Sequence, residues 1–134
     1  MDLAFNLGEQ RITFTINAVV VAGWTGRNME AVQHHIDELA ALGIAPPSRV
    51  PLYYRVANTL LTQESMIEVL GSDTSGEVEP FLIQSDGKTF FGLASDHTDR
   101  ALEVHSVAAS KQACAKPVAQ ELWDFDAIKG HLNE

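Results

Sequence analysis

Apolar and polar positions alternate twice at the start of the chain, at Leu3, Phe5, Leu7 and again at Ile12, Phe14, Ile16, around Gly8-Glu9-Gln10. Period-2 alternation on both sides of a glycine-bearing gap predicts an opening β-hairpin. Ala18 to Ala22 is continuously apolar and ends at Gly23-Trp24-Thr25-Gly26, which reads as a buried strand. The period then changes. Val32, His35, Ile36, Leu39 and Leu42 recur at helical spacing, Asn28 is a suitable N-cap, and Gly43 with Pro46-Pro47 forms a stop. A helix is therefore expected from about Met29 to Leu42. Pro51 to Ala57 reads as a strand, Ile67 to Leu70 as a further short one, and Gly71 to Gly76 as a turn-rich loop.

The segment from Gly76 to Arg100 organises the rest. Two β-rich apolar runs flank Asp86-Gly87, the dipeptide that best suits a two-residue type I′ turn. Counting outward from that turn, Ser85 faces Lys88 and Glu77 faces Asp96. Glu79 shares a face with Glu77, because side chains alternate along a strand, and cross-strand partners share it too. Beyond Arg100, Leu102 to Ala109 fits strand or helix equally. The tail from Glu121 to Glu134 is acidic, with a helix expected near Phe125 to Leu132. These elements predict one α+β domain that is mostly β.

Three converging carboxylates change the picture. Two of them about 4 Å apart repel by roughly 4 kcal/mol at an effective dielectric near 20. The patch is either splayed into water as a solvated acidic face, held partly protonated, or occupied by a cation. Oxygen-only donors suit Mg²⁺, Mn²⁺ or Ca²⁺ better than zinc.

Charge and composition narrow the partners. Eighteen acidic against nine basic residues leave a net charge of −9 over 134 residues. That balance argues against nucleic acid and anionic membrane surfaces, which need a cationic footprint. The single cysteine, Cys114, excludes an internal disulfide and suits a reducing compartment. With no signal-peptide pattern and no apolar run of spanning length, a cytoplasmic protein is expected. No phosphate-cradling glycine loop or zinc-type Cys/His pattern is present.

Glu77-Val78-Glu79 followed by Asp96-His97-Thr98-Asp99-Arg100 resembles the Glu-x-Glu and Asp-x-Thr-x-Arg signatures of the fumarylacetoacetate hydrolase superfamily. The resemblance implies that Glu77, Glu79 and Asp96 hold a catalytic Mg²⁺ or Mn²⁺. It extends to Gly26-Arg27-Asn28 and His35-Ile36-Asp37-Glu38, which match a lid that supplies the base for activating water. On its apolar arc alone His35 reads as a packed core residue. The resemblance makes it the base oriented by Glu38, chosen over His34 because its spacing to Glu38 matches. Arg27, Thr98 and Arg100 are implied substrate contacts. Lys111, which matches the family's lysine motif, reads equally as a surface lysine or as the group that holds the substrate's oxo or carboxylate end.

The implied fold is an incomplete fumarylacetoacetase-like mixed β-roll with the 29–42 helix over the site, as an N-terminal portion of the catalytic domain. The implied activity is metal-dependent hydrolysis or decarboxylation of a small oxo acid in a homo-oligomer. Superfamily members continue through further strands and a Gly-Asp-x-Ile-x-Thr-Gly-Thr-Pro-like loop, for which Glu134 leaves no room. A truncated, weakly active or inactive copy that still binds metal, or a structural domain, is the alternative expectation.

Overall fold

The computed structural model describes residues 1–132. Eleven strands run β1 Asp2–Leu7, β2 Gln10–Thr15, β3 Val19–Gly23, β4 Leu52–Val56, β5 Leu61–Thr62, β6 Thr74–Ser75, β7 Val78–Ser85, β8 Lys88–Ser95, β9 Thr98–Asp99, β10 Lys116–Pro117 and β11 Glu121–Asp124. The helices are α1 Met29–Ala41, α2 Arg100–Glu103, α3 Val107–Gln112 and α4 Phe125–Ile128. The fold is α+β and mostly β, and the described strands close no barrel.

A five-stranded mixed sheet in the order β2-β1-β11-β8-β7 forms the body, and three two-stranded ribbons accompany it: β3 with β4, β5 with β10, and β6 with β9. The opening hairpin follows the alternation that predicts it, with Leu3, Phe5 and Phe14 buried and Leu3 opposite Phe14. The central hairpin keeps the expected register, Ser85 opposite Lys88 and Val78 opposite Ser95. Its turn residues Asp86 and Gly87 take φ of 50° and 76°. Two successive positive φ values are what a type I′ turn demands, and Asp-Gly supplies them at low cost. The core joins Leu3, Phe5 and Phe14 to Ile83, Phe90, Val118 and Leu122. Gly92 lies where Phe81 crosses the sheet: a Cβ there would come within 2.4 Å of Phe81 and 2.8 Å of Leu122.

Helix α1 begins where Asn28 Oδ1 accepts from Glu30 N at 3.0 Å and Ala31 N at 3.2 Å. It ends where Gly43 turns at φ 87° and donates to Ala40 O. Val32 and Ile36 are its buried residues, so the apolar arc is narrower than the spacing implied, and α1 packs extensively on no other element. The 29–42 helix therefore forms almost as expected, but it is not seated over the central hairpin.

Three local expectations need correction. Residues 67–70 form no strand, and Leu70 is 86% exposed. Four residues without a partner strand have no ladder to join, so propensity alone does not order them. The acidic tail contributes a strand: β11 enters between β1 and β8, parallel to the first and antiparallel to the second. One deeply buried side chain, Leu122, is too little periodicity to announce it. Helix α4 consequently ends at Ile128 rather than near Leu132. The ambiguous 102–109 stretch resolves into the short helices α2 and α3, capped by Asp99 and Ser106.

Candidate functional site

The strand pleat places the three carboxylates on one face of the hairpin. Asp96 N donates to Glu77 O at 2.9 Å, which continues the hairpin ladder one step beyond the last paired strand residues. Glu77, Glu79, Phe81 and Ile83 share a face with Phe90, Gly92, Ala94 and Asp96. One face of the sheet is thus apolar near the turn and acidic at the open end of the hairpin.

Asp96 is the centre of that acidic end. It is 4% exposed and sits in the corner between β8 and β9, where Thr98 Oγ1 donates to its carbonyl at 2.9 Å. Its carboxylate meets two buried lysines. Lys111 Nζ, from the last turn of α3, donates to Oδ2. Lys116 Nζ, from β10, lies 3.1 Å from Oδ1 and donates to His97 O at 2.5 Å. Among the described residues this ammonium is the partner of the buried Oδ1. Lys111 Nζ is also 4.0 Å from Glu77 Oε2. An ammonium therefore stands between the Asp96 and Glu77 carboxylates.

A second ion cluster braces the first. Arg100, the first residue of α2, donates to Glu77 Oε1, to Glu103 Oε2 at 2.6 Å and to Ser75 Oγ at 2.7 Å. Burial lowers the pKa of this guanidinium, but the bonds to Glu103 and Glu77 outweigh it and hold the group above its usual range. Arg100 fixes the Glu77 carboxylate from the side away from Lys111. His97 Nε2 pairs with Thr74 Oγ1 at 2.9 Å and so ties the β6–β9 ribbon to the same corner.

Glu79 stands apart from these pairs. Burial, then the charge of Asp96, pushes its pKa up to about 6, against the pull of Lys111 and Lys116. Lys116 is pushed down by burial, partly offset by Asp96. A cavity of about 910 Å³ opens beside this group, with Glu79, Asp96 and Lys116 in its wall and apolar side chains from β1, β2, β3, β7 and β8 around the rest. A depression at the 84–89 turn lies at the opposite end of the hairpin from the carboxylates.

The expected site residues divide accordingly. Glu77, Asp96, Lys111 and Arg100 are joined by direct contacts, and Glu79 is on their face. Lys111 is 6% exposed, so it is not a surface lysine. Thr98 is fully buried, with its hydroxyl turned to the backbone. His35 is not brought to the group. Its side chain is 59% exposed, 3.6 Å from Glu38, with its ring 5.7 Å from that of Trp24. Arg27 is exposed in the loop before α1. Lys116, Glu103 and Asp99 are buried members that motif reading passed over. For Lys116 the signal was present: Cys114, Lys116 and Val118 alternate on the buried side of one short run.

A family model described as a protein of unknown function (DUF2848) matches residues 22–134. The chain belongs to this family. The match includes the hairpin, Lys111, Lys116 and α1, and thus every residue of the site. It overturns the resemblance to the fumarylacetoacetate hydrolase superfamily, and with it the description of the chain as an incomplete copy of that fold. Glu-x-Glu and Asp-x-Thr-x-Arg are short patterns that a hairpin with an acidic end and a capped helix generates by itself. No curated protein and no solved structure matches the chain.

Proposed function

We propose that this DUF2848 protein is a divalent-metal-dependent hydrolase or lyase acting on a small oxo acid, by C–C bond hydrolysis or decarboxylation. The observation that carries the reading is the buried Asp96, shared by two buried lysines on the same sheet face as Glu77 and Glu79, beside a large cavity. The donor set fits Mg²⁺ or Mn²⁺ in kind: three hard carboxylates on one sheet face, of which Asp96 is met at both oxygens by lysine ammonium groups. Lys111 Nζ stands where a cation between Asp96 and Glu77 would be neutralised, and it would move aside on loading. Bound there, the metal would supply Lewis-acid polarisation of an oxo group.

The chain's own groups do the remainder. Lys116, in the cavity wall, and Lys111, on Oδ2 of Asp96, are buried positive charges, and buried charge stabilises charge developing on an oxo acid far better than in water. Arg100 holds Glu77 in place through its bonds to Glu103 and Ser75. Glu79 must lose its proton to join the donor set. Its raised pKa therefore makes metal affinity climb as pH rises through about 6. His35 has no part in this geometry as it stands. A cytoplasmic location accords with the one free cysteine, the buried Cys114, and among the described residues no helix is long and apolar enough to cross a membrane.

A second reading has one observation in its favour: among the described residues, no three acidic, histidine or cysteine side chains converge on a point as they stand. In that reading Lys111 and Lys116 are permanent counter-ions and the cluster is structural. A screen of β-oxo and acyl-oxo acids with Mn²⁺ separates the two. The proposal expects turnover that EDTA abolishes and that Lys111→Met lowers at least 100-fold, about the loss of one preorganised charge donor. Turnover indifferent to EDTA, or none with any oxo acid, would favour the second.

A further inference from the structure

We infer that residues 66–70 form a strap that closes into the cavity as a sixth strand on the free edge of β7. The inference stands on strand edges and does not depend on the metal. β7 is an outer strand of the main sheet, and β3 pairs only with β4 among the described residues. Both border the cavity with consecutive residues, 80–85 along β7 and 17–22 around β3. A strand that meets a cavity with one face contributes every second side chain, so these two meet it edge-on. The cavity is a slot between two unpaired strand edges.

Parity shows what the β7 edge offers. Asp96 N donates to Glu77 O, which makes these two a hydrogen-bonded pair, and such pairs alternate along an antiparallel ladder. The main-chain groups of Glu79, Phe81 and Ile83 therefore turn to β8, whereas those of Val78, Pro80 and Leu82 turn to the slot. Residues 66–70 supply what this edge lacks. They read Met-Ile-Glu-Val-Leu, a β-prone run that joins no strand, with Met66 81% and Leu70 86% exposed. The run leaves after Leu61 and returns before Glu79, both of which line the cavity. Only residues 71–77 separate it from β7, and Gly71 already takes a turn conformation at φ 72°. With Leu70 opposite Val78, Met66 falls opposite Leu82, while Val69 and Ile67 turn inward opposite Glu79 and Phe81. Those two β-branched side chains would then cover the apolar wall and shut water away from Glu79. Pro80 offers a carbonyl but no donor. A segment joined this closely to β7 bears a small closure cost and tolerates that loss, whereas a second copy must associate from solution.

The test is residue-resolved hydrogen exchange in EDTA, together with oxidation of engineered cysteine pairs. Closure should slow the amides of Val78 and Leu82 at least about 100-fold relative to unprotected rates, independently of protein concentration. Glu68→Pro, which removes the donor facing the Pro80 carbonyl, should return both amides to free exchange while those of Phe81 and Ile83 stay protected. Met66→Cys with Leu82→Cys should oxidise to an intrachain disulfide. Ile67→Cys with Leu82→Cys, which face opposite sides of the closed strap, should not. Free exchange at Val78 and Leu82, in protein whose Phe81 and Ile83 amides are protected, would overturn the inference. So would equal oxidation of the two cysteine pairs, or protection that grows with protein concentration and so assigns the edge to a second copy. Because EDTA is present throughout, failure of the metal reading leaves these outcomes unchanged.

Discussion

At the residue scale, Asp96 and Glu79 are both acids on one face, and their environments separate them. Asp96 is locked between two buried ammonium groups, so its removal strands charge. Asp96→Ala should cost about 3–5 kcal/mol in urea unfolding, the usual penalty for breaking a buried ion pair. Glu79 is the opposite case. Its folded pKa of about 6 lies above the ordinary 4.5, so folding favours the protonated form. The folded state then binds more protons than the unfolded state between those values, and stability falls as pH rises through that window. Relative to Glu79→Gln, metal-free wild type should be at least as stable at pH 4.5 and less stable at pH 7. Parallel stability curves for the two proteins across that range would show that Glu79 is not held protonated. Sequence patterning placed both acids on one face but could not rank them. The ranking depends on Lys111 and Lys116, which arrive from α3 and β10.

At the element scale, the central hairpin was legible because Asp-Gly between two β-rich runs strongly favours the type I′ turn, and that turn fixes every cross-strand pair. The register from Ser85 to Val78 follows from it. Strand β11 was not legible. Its four residues look like part of an acidic tail, and what makes them a strand is the gap between β1 and β8 that Leu122 fills. The error at residues 67–70 has the inverse cause: an apolar run without a partner. Helix α1 was legible through its cap and stop, whereas its position was not, since periodicity says nothing about where a narrow apolar face docks. Gly92 tests the packing of the hairpin against β11. Gly92→Ala would press a methyl into Phe81 and Leu122, and the expected loss is about 1–3 kcal/mol, as for other overpacked cores. A stability unchanged within error would mean that Phe81 moves freely and that this sheet face is looser than described.

At the scale of the whole molecule, the sheet has two unlike faces. One carries the core, the cavity and the carboxylates. The outward face of β7, β8 and β11 carries Val78, Leu82, Leu93 and Trp123, all substantially exposed. Grouped apolar residues of this kind rarely stay bare on soluble monomers, and we propose a second copy of the chain as the occupant of this face. The free edge of β7 is a poorer route. Pro80 lies on that edge strand, and a proline there removes a donor that strand addition would use. Light scattering after size exclusion should therefore give a dimer that Leu82→Glu with Trp123→Glu converts to monomer. A wild-type monomer at all concentrations would remove this part of the account.

The proposed function requires that Glu77, Glu79 and Asp96 form a metal site in which Lys111 serves as the counter-ion until a divalent ion is loaded. The most direct measurement is the melting temperature of the wild type and of Glu79→Gln against Mn²⁺ and Mg²⁺ concentration at pH 7.5. Binding to the native state raises stability by RT ln(1 + [L]/Kd), about 2.7 kcal/mol at a hundredfold excess over Kd. The account predicts a rise in the wild type that saturates with metal, shrinks below pH 6, and needs at least tenfold more metal in Glu79→Gln. An unchanged melting temperature across millimolar Mn²⁺ and Mg²⁺, in protein that unfolds cooperatively, would contradict it.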